Sequence, residues 1–119
     1  SAVDWNGKKQ KDTSGEENTI AIPGFEKVTL YANETTQAVN FHNPEINDCY
    51  FKISLIHPDG SVLWISDLIE PGKGMYSIEL EKTLAVGEYE NAVLKYECFS
   101  LNDQSPLNGS EINLKLVVV

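Results

Sequence analysis

From Ile20 to the C-terminus the chain breaks into short segments in which apolar and polar residues alternate one by one, and turn-forming residues separate these segments at fairly even spacing. Alternation with period two is what a strand half-buried in a sheet requires, because successive side chains point to opposite faces. No segment of helical length repeats its apolar residues at three- to four-residue spacing, so an α or α/β architecture has nothing to build on. In "MYSIELE", Tyr76, Ile78 and Leu80 alternate with Ser77, Glu79 and Glu81. The pattern predicts an all-β domain of about seven strands, antiparallel throughout, folded as an immunoglobulin-like β-sandwich rather than a barrel.

The segments supply the detail. "KVTLYA" sets Val28 and Leu30 against Thr29 and Tyr31, and "QAVNFHN" places Val39 and Phe41 inward and His42 outward. In the next strand Cys49, Phe51, Ile53 and Leu55 share one face, with Tyr50, Lys52 and Ser54 on the other. "HPDG" follows, where Pro58 suits the first central position of a type I turn and Gly60 a left-handed one, so "SVLWIS" is expected to return antiparallel. "EPGKG" breaks the chain again before "MYSIELE". "GEYENAVLKYECFS" carries Leu94, Tyr96 and Cys98 on one face, and "SEINLKLVVV" lines up Ile112, Leu114, Leu116 and Val118.

A length of 119 residues suits one domain with one core. Residues 1–19 are polar and rich in charge, Gly, Ser and Asn, and read as a flexible linker ahead of a domain spanning 20–119. The net charge of −9, with nine lysines dispersed after the first few, argues against a nucleic-acid-binding face, which needs concentrated positive charge. No apolar run is long enough to span a bilayer as a helix, and no signal peptide is recognisable. Opening at Ser1 without a methionine, the chain reads as the soluble part of a longer protein.

Both cysteines lie in the inward phase of their strands, Cys49 at the start of the third and Cys98 at the end of the sixth. These strands are sheet neighbours in an immunoglobulin-like order, and an antiparallel pairing brings those ends together. Two readings stay open: a Cys49–Cys98 disulfide, contributing up to about 4 kcal/mol in the chain-entropy model, or two buried thiols. Zinc would need four ligands, and His42 and His57 are poorly phased to complete a set. A catalytic thiol would need a positioned histidine in an electropositive setting.

None of the common nucleophile, metalloprotease, phosphate-loop, dinucleotide or EF-hand motifs occurs, so no catalytic, cofactor-binding or metal-binding residue is assigned. Asp48, Asp59, Asp67 and Asp103 fall at strand ends or loops, where solvated turns explain them. Acceptor triplets for glycosylation at Asn33 and Asn108 are of a kind that chance produces often. Trp64 sits in a segment apolar on both faces and reads first as a core residue; if exposed instead, it pairs with Tyr50 as a candidate ligand platform for a sugar ring or a protein partner. Otherwise Tyr50, Lys52, Ile56, Lys95, Glu97 and Lys115 line the outer face of one sheet.

The words "IPG", "VNFHNP", "CYF" and "EPGK", spread over Ile20 to Val119, with "AVDWNGK" near the N-terminus, resemble a group of small uncharacterised proteins of gut-type Gram-positive bacteria. In that group a membrane segment and a polar linker precede one β-domain, and no activity is assigned. The resemblance implies a compartment: an extracytoplasmic, cell-surface-anchored location, the membrane reached only through an upstream anchor. The expected function is a non-enzymatic interaction module for an unidentified protein partner, with a carbohydrate-binding module using an exposed aromatic platform as the rival. No cofactor and no nucleic acid are expected.

Overall fold

The computed structural model describes residues 3–4 and 27–119, and every regular element among them is a strand. In chain order these are β1 (Val3–Asp4), β2 (Lys27–Leu30), β3 (Thr36–His42), β4 (Cys49–Ile56), β5 (Val62–Ile65), β6 (Lys73–Glu79), β7 (Gly87–Ser100) and β8 (Pro106–Val118). They form a five-stranded sheet in the order β2-β8-β7-β4-β5 and a three-stranded sheet in the order β1-β6-β3. Of the stretch expected as a linker, β1 is described and pairs with β6, Val3 opposite Gly74. The rest of residues 1–19, and 20–26 at the start of the expected domain, lie outside the described residues.

The expected pairing of the third and sixth predicted strands holds: β4 and β7 run antiparallel from Cys49 opposite Ser100 to Ile56 opposite Val93. One pairing departs from the expectation. β2 lies parallel to β8, Lys27 opposite Lys115 through Leu30 opposite Val118, so the sheets are not antiparallel throughout. Alternation reports which face a side chain takes and carries no strand direction, which is why the sequence was silent here. The apolar C-terminal strand is consequently flanked on both sides over these residues rather than left as an edge.

One core cluster draws on both sheets. Leu30, Phe51, Ile53, Leu55, Leu94, Tyr96 and Leu116 come from the larger sheet and Phe41 and Ile78 from the smaller, all buried. Each large apolar side chain so placed contributes roughly 1.5–3 kcal/mol. Phe51 and Tyr96 pack edge to face at 5.1 Å, and Phe41 meets Trp64 across the sheets at 5.7 Å.

The ladders slip register in four places, between Ala38 and Phe41, Leu55 and Ile56, Tyr89 and Ala92, and Tyr96 and Cys98. Between Ala38 and Phe41 the β3–β6 register slips, and Phe41 and His42 are both buried. His42 was expected to point outward; the slip turns it into the interior. Between Leu55 and Ile56 the β4–β5 register slips, so consecutive Leu63 and Trp64 both face the core. Between Tyr96 and Cys98 the β7–β8 register slips opposite Gly109, whose missing Cβ would stand 2.2 Å from the Tyr96 carbonyl oxygen.

The turns follow their residues. Gly60 adopts φ +92° in "HPDG", and the loop closes with the Gly60 N–H donating to His57 O at 2.8 Å and the His57 N–H to Ser61 O at 2.8 Å. Asp59 accepts from the Ser61 N–H at 2.8 Å and the Ser61 hydroxyl at 2.6 Å, which lowers its carboxyl to about 2. Asp103 caps Ser105 in the same manner at 3.0 Å.

Candidate functional site

Trp64 is 7% exposed and opposes Leu55 on the inner face of its sheet. Tyr50 occupies the outer face, directly opposite Phe99. The two rings proposed as one platform therefore lie on opposite sides of the sheet. The bulge beside Leu63 is the cause, and nothing in a segment apolar on both faces announces it.

Of the two readings open for the cysteines, the structure has two buried thiols. Their strand ends meet, but Cys49 faces Ser100 while Cys98 faces Phe51, and both are buried free thiols. They are diagonal neighbours on one face, farther apart than a directly opposed pair, whose Cβ atoms stand about 4.5–5.5 Å apart; a disulfide needs about 3.5–4.5 Å. The thiols hydrogen-bond to each other, and burial raises both, Cys98 to about 12 with the neighbouring Cys49 adding to the effect. That setting suppresses the thiolate and with it nucleophilic chemistry.

The outer face of the larger sheet carries the residues expected there. Tyr50 pairs with Phe99, Lys52 with Glu97, Ser54 with Lys95 and Ile56 with Val93, and Lys115 reaches Glu88 at 2.8 Å and Glu90 at 3.6 Å. At the margin of this face the chain leaves β5 and builds a ridge. The Ser66 N–H donates to Ile53 O at 2.8 Å while its hydroxyl accepts from the Ile53 N–H at 2.8 Å, so a side chain stands in for a ladder carbonyl. The ladder resumes at Ile69, which exchanges bonds of 2.7 and 3.0 Å with Phe51.

Asp67 and Leu68 fall between these two anchor points. An edge interrupted in this way, with an exposed carboxylate at the interruption, resists extension by another strand. What it offers instead is side chains. Ile65 is 52% exposed at the crest. A groove lined by Lys52, Ile65, Leu68 and Phe99 runs along its outer flank. On its inner flank a cleft of about 280 Å³ opens between the ridge and β6, with Trp64, Asp67, Ile69, Met75, Ile78 and Glu79 among its lining residues.

Glu79 is held in place by the first residue of β3 and the one before it: the Thr35 hydroxyl donates to its Oε2 at 3.0 Å and the Thr36 hydroxyl to its Oε1. These donors favour the charged form and keep its carboxyl below the ordinary value. Glu88 is lowered by Lys115, and Asp103 by Ser105, so the carboxylates displaced from ordinary values shift downward together. Among the described residues, no three His, Cys, Asp or Glu side chains group as metal ligands.

One polar centre escaped the sequence reading. Asn43, fully buried, donates through Nδ2 to Cys49 O at 2.8 Å and Ile69 O at 2.9 Å, and its Oδ1 accepts from Asn47 at 2.9 Å. Its backbone bonds to Lys73 O and receives the Gly72 N–H. The asparagine in "VNFHNP" thus ties the start of β4, the ridge and the β6 turn together, and holds the end of the cleft in place. An isolated asparagine carries no periodic signal; its proximity to a proline and a turn was the only cue. No family model, curated protein or solved structure matches the chain.

Proposed function

We propose that the chain is a non-enzymatic, immunoglobulin-like β-sandwich, tethered at the outer surface of the cell envelope, that binds a protein partner through the ridge at residues 65–68. The observation that carries the docking surface is Ile65, a large apolar side chain 52% exposed at the crest of an interrupted sheet edge, with a groove on each side. Apolar anchors at the centre of a polar surround are what protein interfaces use. The order β8-β7-β4-β5 in one sheet, with β3 and β6 paired in the other, supports the immunoglobulin-like reading, and the resembling words support the compartment.

Two measurements test this. A photo-crosslinking amino acid at Ile65 in native cells should join the protein to one partner, while the same group at exposed Ala38 on the other sheet should not. Equal or absent crosslinking at the two positions would sink the docking surface. A membrane-impermeant amine reagent applied to intact cells should label the lysines; labelling only after lysis would remove the surface location. The direct pairing of Tyr50 with Phe99 favours a second reading, glycan stacking on that pair. It predicts loss of glycan binding on Phe99→Ala with the Ile65 crosslink unchanged.

A further inference from the structure

We infer that Asn108 is a site of self-modification: in the folded protein its side chain closes onto the Gly109 backbone nitrogen, loses ammonia, and is converted by water to aspartate and isoaspartate. The inference stands independently of the docking reading above. Among the described residues, Asn108 is the one asparagine followed by a glycine, and Asn108, Gly109 and Ser110 are all exposed. In the β7–β8 register Tyr96 opposes Ser110 and Cys98 opposes Leu107, so Asn108 and Gly109 together face Glu97 and neither has an opposed partner. A bulge disrupts the ladder locally, which frees this backbone for geometries that a regular pairing forbids.

The glycine acts twice here. Its missing Cβ lets the bulge close against the Tyr96 carbonyl oxygen, and the same absence leaves its backbone nitrogen unshielded toward the Asn108 side chain. Nucleophile and carbonyl belong to one chain, so the step has the rate advantage of an intramolecular reaction. The Gly109 nitrogen attacks Asn108 Cγ; the N–Cγ bond forms, the Cγ–Nδ2 bond breaks, and ammonia leaves with the proton that the Gly109 N–H gives up. Water then opens the succinimide. Addition at Cγ gives aspartate, whereas addition at the Asn108 main-chain carbonyl gives isoaspartate, with the chain rerouted through Cβ and Cγ. Nothing is oxidised or reduced, and water is the sole co-reactant. Either product adds a carboxylate opposite Glu97 on a chain already at −9. Isoaspartate also lengthens β8 by one methylene, beside the groove that Phe99, Leu107 and Gly109 line.

The test ages the whole native chain at mildly alkaline pH beside a sample unfolded in guanidinium chloride. Cleavage after lysine releases residues 96–115, in which fragmentation separates Asn102, Asn108 and Asn113. Asn108 should show the mass gain of amide-to-acid conversion at a native rate within about tenfold of its unfolded rate, and an isoaspartate-specific methyltransferase should label the same segment. Asn113, which opposes Val93 in the ladder and precedes Leu114, is the internal control and should stay unchanged in the native chain. Asn108→Gln, whose longer side chain closes the ring poorly, should abolish the gain. A native rate more than about tenfold below the unfolded one overturns the inference, because the fold then protects the site. So does a mass gain without isoaspartate label, since direct hydrolysis of the amide gives aspartate alone. A gain that persists in Asn108→Gln, or that appears equally at Asn113, overturns it as well.

Discussion

The Tyr96 ring is fully buried edge-on to Phe51, yet among the described residues its hydroxyl meets no hydrogen-bond partner. Burial alone raises its titration. A buried hydroxyl without a partner carries a desolvation cost of about 1–3 kcal/mol, so Tyr96→Phe should leave stability unchanged or raise it by about 1 kcal/mol in denaturant unfolding. A loss of that size would show that the hydroxyl is bonded after all. His42 makes the opposite kind of statement. Burial lowers its pKa below the ordinary 6.5, so between those two values the unfolded chain binds a proton that the folded chain refuses. Its contribution is complete above pH 6.5 and declines as pH falls toward the lowered folded value. Unfolding free energy measured across that window should fall with pH in the native chain and flatten in His42→Gln. A flat native profile would contradict the burial. Neither role was legible beforehand: Tyr96 was placed on the inner face correctly, but whether a phenol finds a partner depends on groups remote in sequence.

At the scale of elements, the hairpin of β7 and β8 depends on a single absent atom. The bulge brings Gly109 against the Tyr96 carbonyl so closely that Gly109→Ala must move backbone, not a flexible side chain. The expected cost is about 1–3 kcal/mol, read from the unfolding midpoint, and a neutral result would show that the two strands can part there freely. The cysteines belong to the same scale, because register decides their fate. Diagonal placement predicts that native protein resists alkylation at both, and that denaturation without reductant exposes two thiols, each adding one label in the intact mass. An unlabelled mass that changes only after reduction would restore the disulfide. The sequence placed both residues on the inner face of neighbouring strands, and that was correct. It could not supply the two-residue offset, since a strand slides by two without changing any side chain's face.

For the molecule as a whole, the defining feature is that its first and last major strands are neighbours. β2 finds its sheet only against β8, and β3 and β6 form a separate sheet from strands distant in sequence. Such pairings must pay loop-closure entropy before any contact rewards them. Stopped-flow refolding should therefore fall in the millisecond-to-second range, and a microsecond phase accounting for the full amplitude would contradict this topology. Period-two alternation and the turn residues at Gly60 and Gly72 determined by themselves that the chain is all-β, where most strands lie, and which faces of β4, β6 and β7 are buried, because these depend on near neighbours alone. Only the tertiary structure decided the parallel pairing of β2, the inward turn of His42 and Trp64, the offset of the cysteines and the ridge beside the cleft. Each of those follows from register between strands far apart in the chain, and register is set by how a whole sheet packs, which no local pattern encodes.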